Sequence, residues 1–181
     1  MLKLGLTKLS LNNSKPHEKW GFLFSNPYLC KMEKIDNRTI DLELLSQALG
    51  LDSANQAYEF LNDGRIMGRL GEFWTSGKRQ NENSPFDVKN NLGERIEVRS
   101  ITDKVSFASS KEVGYGRKVT SEGFQEKLNS LDKYLLLDMR GLKEGNVEMI
   151  QITKEEVQKL PIGVNKSISA KKFFEIYDRN Q

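Results

Sequence analysis

Three carboxylates and an arginine stand close enough along this chain to share one site. Glu72 falls in a segment of helical periodicity, and Asp87, Glu97 and Arg99 follow in what reads as the two strands of a hairpin. Residues two apart on a strand share a face, so Glu97 and Arg99 point the same way. Two carboxylates from adjacent strands, with a third on a preceding helix, can hold a hard divalent cation. Magnesium takes oxygen ligands in near-octahedral geometry and keeps several waters. Such an ion can lower the pKa of an attacking water and stabilise the extra charge on a phosphodiester. A cation beside it could orient that water or neutralise the developing charge. The bland alternative makes Asp87 a turn cap and Glu97–Arg99 a solvated ion pair, worth little energetically.

Other chemistries have little material. The 181 residues hold one histidine, His17, and one cysteine, Cys30. A zinc site draws on several His and Cys residues, and a Ser-His-Asp or Cys-His arrangement would need His17, which sits in a polar segment. An intramolecular disulfide is ruled out, and a reducing compartment fits. The formal net charge of +3 and pI near 8.9 permit a polyanionic partner without proving one. A basic stretch after the hairpin, Ser106 to Lys118, combines hydroxyls, glycines, an aromatic and cations. Its Ser109, Ser110, Lys111, Tyr115, Arg117 and Lys118 could meet phosphates. Arg117 could instead read guanine in the major groove. Lys78 and Arg79, just before Asp87, would face the same side.

The elements that must position these groups follow from periodicity and capping signals. Asp41–Leu49 reads as a helix stopped by Gly50, Ser53 caps a second helix reaching Asn62, and a third runs over about 65–75 despite its glycines. Lys78–Ser84 reads as polar loop and Pro85–Lys89 as a short strand. A turn at Asn90–Gly93 leads into the alternating strand Arg95–Ile101, with Ile96, Val98 and Ser100 on one face. Val105–Ala108 is a further strand and Ser121–Ser130 a helix with Phe124 and Leu128 inside. Two apolar strands follow, Tyr134–Met139 and Val147–Ile152, then closing helices at 154–160 and 170–178. Residues 1–35 read as an N-terminal arm. The order predicts one α/β domain with a mixed central sheet flanked by helices. No window approaches the roughly 20 apolar residues of a membrane span. The first residues make a poor signal peptide, so a cytoplasmic location is expected.

With these elements in order, the segments Gly68-Arg69-Leu70-Gly71-Glu72, Ser84-Pro85-Phe86-Asp87 and Ile96-Glu97-Val98-Arg99-Ser100 together resemble the PD-(D/E)XK nuclease superfamily, to which many type II restriction endonucleases belong. The resemblance covers about residues 64–152. It implies a restriction-endonuclease-like fold, Asp87 and Glu97 as metal ligands, Mg2+ as cofactor, and Glu72 as an auxiliary ligand or a group positioning water. The sequence departs from the family at Phe86, between proline and aspartate, and at Arg99, where a lysine is usual. Arginine can clamp a phosphate but stays protonated and cannot act as a base. The metal would then activate the water, or Lys111, Lys118 or Lys127 would supply the missing amine. The expected function is magnesium-dependent hydrolysis of double-stranded DNA by a type II restriction enzyme, most simply a homodimer cutting a palindrome. The alternatives are a non-catalytic DNA-binding module on the same fold and a structure-specific repair or junction nuclease.

Overall fold

The computed structural model describes residues 31–81, 84–108 and 119–180. Its central sheet has six strands in the order β1-β7-β6-β4-β3-β2. They are β1 (Glu33–Thr39), β2 (Gly77–Arg79), β3 (Val88–Asn90), β4 (Arg95–Ile101), β6 (Lys133–Asp138) and β7 (Asn146–Thr153). The central pair, β4 and β6, is parallel, with Glu97 opposite Tyr134 and Ile101 opposite Asp138; every other pairing in this sheet is antiparallel. A two-stranded ribbon, β5 (Lys104–Ser106) with β8 (Ser167–Ser169), stands apart from it. The fold is a mixed α/β domain, as the order of elements predicts.

Helices cover both faces. On one lie α1 (Leu42–Leu49), α2 (Ala54–Leu61) and α3 (Gly64–Trp74). Each starts on a side-chain cap, from Asp41, Ser53 and Asp63, which satisfies amide groups a helix start leaves without partners. Their apolar residues meet Val88, Ile96, Val98, Leu135 and Leu137. The helix α3 lies especially close to the sheet. A Cβ on Gly71 would stand 2.6 Å from Leu137 Cδ1 and 2.8 Å from Val98 Cγ1. Glycine there costs helix propensity but allows the approach.

The opposite face is covered by α4 (Ser121–Asn129), capped by Thr120, by the short α5 (Lys154–Val157), by α6 (Ala170–Tyr177) and by the ribbon. Phe107, Phe124, Leu128, Tyr134, Ile150 and Phe173 fill this second core. Phe124 and Leu128 are buried, as the periodicity predicts. A parallel pair such as β4 and β6 needs a crossover, and α4 lies on that connection.

Four strands differ from expectation. Residues 77–79, in and beside a predicted loop, form β2, and the predicted strand at 85–89 is the shorter β3 with Asp87 just before it. The predicted arm overlaps β1, an edge strand whose residues 33–35 belong to the sheet; residues 1–30 lie outside the described residues. The strand β8, within the predicted connection before α6, was not expected.

Candidate functional site

The ladder between β3 and β4 is brief. Val88 pairs with Ile96 and Lys89 with Arg95, and one further bond runs from the Asp87 amide to the Ile96 carbonyl at 3.1 Å. Beyond that point the Asp87 side chain substitutes for a strand, its Oδ2 accepting the Val98 N–H at 2.8 Å. The second half of β4 thereby opens onto a cleft of about 1060 Å3. Its walls are the start of α3 (Gly64, Arg65, Gly68, Arg69, Glu72), the residues Gln80, Asn81, Ser84, Pro85 and Asp87, β4 from Glu97 to Ser100, and α4 (Gly123, Glu126, Lys127).

The bend at 84–87 is held from three sides. Phe86 packs against the second core. The Pro85 carbonyl accepts the Lys127 ammonium at 2.6 Å, and Asp87 is tied to Val98. A flexible tip thus becomes a fixed edge that presents one carboxylate to the cleft.

Glu97 is 3% exposed, and its carboxylate is divided between two cations. Oε1 pairs with Arg99, and Oε2 accepts Lys127 Nζ at 2.5 Å. Lys127 reaches this point from α4, its side chain 7% exposed. Burial raises the Glu97 pKa above the ordinary carboxylate value; Arg99 opposes that shift, while nearby Asp87 adds to it. Burial likewise pulls the Lys127 ammonium below its ordinary value, against the attraction of Glu97. Taking charges out of water is expensive, and hydrogen-bonded opposite charges are the usual compensation.

The four residues predicted to carry the chemistry all line this one cleft. Glu97 and Arg99 share a strand face, as alternation requires. Glu72 arrives by a different route, from α3 on the face that carries Val98. Its carboxylate is already held, by Arg69 at 3.1 and 3.2 Å and by Arg79 at 2.7 Å. Arg79, predicted as a DNA contact, is therefore engaged with Glu72, and its guanidinium also stands 4.5 Å from the centre of the Phe73 ring. Lys78 is exposed on β2 and is not part of the cleft wall. Ser109, Ser110, Lys111, Tyr115, Arg117 and Lys118 lie outside the described residues.

Lys127 is one of the three lysines that the sequence offers in place of the amine the resemblance implies at position 99. Of these, it alone is among the described residues, and it is in direct contact with Glu97. A sequence signal existed. On a helix, residues three and four apart share a face, so Lys127 lies on the inward stripe of Phe124 and Leu128. The Pro85 carbonyl is a main-chain acceptor that no residue pattern announces.

Among the described residues, no group of three or more His, Cys, Asp or Glu side chains is arranged to hold a metal ion. The donor set is two carboxylates, Asp87 and Glu97, on one cleft wall, close enough for the Asp87 charge to raise the pKa of Glu97. Magnesium is commonly bound by one or two protein carboxylates, with waters and substrate phosphates completing its shell. The pair fits that chemistry, although cations of the chain itself now occupy both oxygens of Glu97. The α3 wall also carries an unexplained glycine: a Cβ on Gly68 would meet nothing within 4 Å. No protein-family model matches the chain, and no curated protein or solved structure matches it.

Proposed function

We propose that the chain is a magnesium-dependent endonuclease of the PD-(D/E)XK type that hydrolyses phosphodiester bonds of double-stranded DNA. Its most specific form is a type II restriction endonuclease of a restriction-modification system, working as a homodimer on a palindromic site. The observation that carries this reading is the meeting of Asp87, Glu97, Arg99 and Lys127 at the open edge of β4, in a cleft of about 1060 Å3. Carboxylates for a hard cation and fixed cations for a phosphate stand side by side there.

Asp87 and Glu97 would hold the magnesium, which when bound supplies Lewis-acid assistance to water and phosphate. Arg99, a quarter exposed on the cleft wall, would meet a phosphate oxygen and stabilise the charge that grows on it. Arg65 and Arg69, paired with Asp63 and Glu72, line the α3 rim and would turn part of their donors to the DNA backbone. Glu72, held by two arginines, would act as a positioning residue for that wall.

The test is incubation of the full chain with plasmid DNA, with magnesium and with a chelator. Magnesium-dependent cutting with discrete ends supports the restriction reading. Cutting at junctions or flaps whatever their sequence would favour a structure-specific repair or junction nuclease. Binding without cutting would return the chain to a DNA-binding module, an alternative favoured by the engagement of both Glu97 oxygens with protein cations.

A further inference from the structure

Four charged groups meet at the edge of β4, and they balance. Asp87 and Glu97 are negative, and Arg99 and Lys127 are positive. Both oxygens of Glu97 are taken, Oε1 by Arg99 and Oε2 by Lys127. A divalent cation that uses Glu97 must therefore displace one of these partners or share an oxygen with it, against like-charge repulsion. The two partners differ in what they would lose. Arg99 is partly exposed and can turn toward water. Lys127 is almost wholly enclosed, and its remaining acceptor is the Pro85 carbonyl, at 2.6 Å. A carbonyl satisfies a donor but does not neutralise a charge. A displaced Lys127 would therefore be a buried cation without a counter-charge, and such a state is strongly disfavoured. The open direction is the cleft, which Lys127 itself lines.

We propose that Lys127 is a resident counter-ion that couples metal binding to nucleic-acid binding, so that a divalent cation and a backbone phosphate enter the cleft together. The cation takes the place of Lys127 at Glu97, and the phosphate takes the Lys127 ammonium. Either alone leaves an imbalance. The cation alone strands Lys127, and the phosphate alone faces Asp87 and Glu97. Together they offset each other in part, since the phosphate cuts the excess charge that the cation brings from two to one and gives Lys127 a new counter-charge. The coupling is reciprocal: DNA tightens the cation as much as the cation tightens DNA. This rests on the assignment of Asp87 and Glu97 as metal ligands under the proposed function, and it names Lys127 as the residue that makes their affinity conditional on substrate.

The experiment is calorimetric titration of the full chain with calcium chloride, with and without a short DNA duplex, for the parent and for Lys127→Met. Methionine keeps the length of the side chain and removes its charge. The parent should bind calcium at least about tenfold more tightly when DNA is present, within the usual range of coupling between sites. Lys127→Met should bind calcium more tightly than the parent without DNA, and its gain from DNA should shrink. Calcium affinity in folded Lys127→Met that is no tighter than in the parent, or an undiminished gain from DNA, would overturn the proposal. Should Lys127→Met fail to fold by circular dichroism, the parent decides alone, since equal calcium affinity with and without DNA excludes coupling. Parent magnesium-dependent plasmid cutting is scored separately. Its absence sinks the nuclease reading without altering the calcium result, and intact cutting with no coupling sinks this proposal alone.

Discussion

The adjacent parallel strands β4 and β6 each carry a buried acid followed two residues later by an arginine. Glu97–Arg99 sits on the first and Asp138–Arg140 at the end of the second. The acids are buried alike, 3% and 5% exposed. What surrounds them differs. Arg140 donates to both oxygens of Asp138, binds Asp178 at 3.1 and 3.3 Å, and stacks 3.7 Å from the centre of the Phe174 ring. Every strong interaction of that guanidinium is made inside the fold, and together they pin α6 to the sheet. Glu97 instead shares its charge between Arg99 and a lysine from another helix, at the wall of a large cleft. An acid-x-arginine triplet is therefore not in itself a site. The open strand edge, the second cation and the space beside them separate the two.

Five substitutions at four positions test that distinction, beginning with the largest effect. Glu97→Gln and Asp87→Asn should each abolish plasmid cutting, while DNA binding in calcium persists and circular dichroism shows a folded chain. Asp138→Asn should leave cutting per folded molecule unchanged. Near-parental cutting by Glu97→Gln would collapse the contrast. Arg99→Ala should slow cutting by at least about a hundredfold with little loss of DNA binding, the scale of removing one fixed donor from a developing charge. Arg99→Lys should keep substantial activity if charge suffices, and lose most of it if a bidentate clamp is needed. On the other strand the loss is in stability. Asp138→Asn should lower the unfolding free energy by about 1–3 kcal/mol, the range for disrupting buried charged hydrogen bonds, read from urea denaturation.

The smallest effect belongs to Asp132, which pairs with Arg95 at the start of β4. Hydrogen bonds from Arg95 hold its pKa at about 2, below the ordinary 3.8. A depressed pKa means the folded state favours the carboxylate, so its contribution is fully present above about 3.8 and is lost as pH falls through about 2. Asp132→Asn should therefore lower the melting temperature slightly at neutral pH, and the deficit should close as pH falls through that window. The carboxylate is more than a third exposed, so solvent screening keeps the effect small. A deficit that persists unchanged at the acid end would assign it to lost packing instead of lost charge.

Much of this architecture was legible where burial imposes a period. The stop at Gly50, the cap Ser53 and the apolar spacing marked the first helices, and alternation marked β4 with the face that Glu97 and Arg99 share. The strands β1, β2 and β8 gave little warning. They are largely polar segments, and β1 and β2 lie at sheet edges with mostly exposed residues. Main-chain hydrogen bonds hold them and leave no apolar pattern. The site was half legible for the same reason. Residues on one strand announce their common face, whereas the approach of Lys127 depends on how α4 packs across the sheet. The engagement of Glu72 with Arg79 depends on β2 being a strand at all.

Gly68 leaves one consequence of a different kind. Midway along α3, glycine costs about 1 kcal/mol relative to alanine, and here no neighbour explains it, since an added methyl would meet only open space. Gly68→Ala should therefore raise the melting temperature, an improvement open to the sequence through a single substitution. The methyl would project into the cleft between Arg65 and Arg69, along the path proposed for the DNA backbone. A gain in heat tolerance accompanied by weaker DNA affinity would mark this position as a trade between durability and access. The helix would then be less stable than it could be because something other than protein has to lie against it.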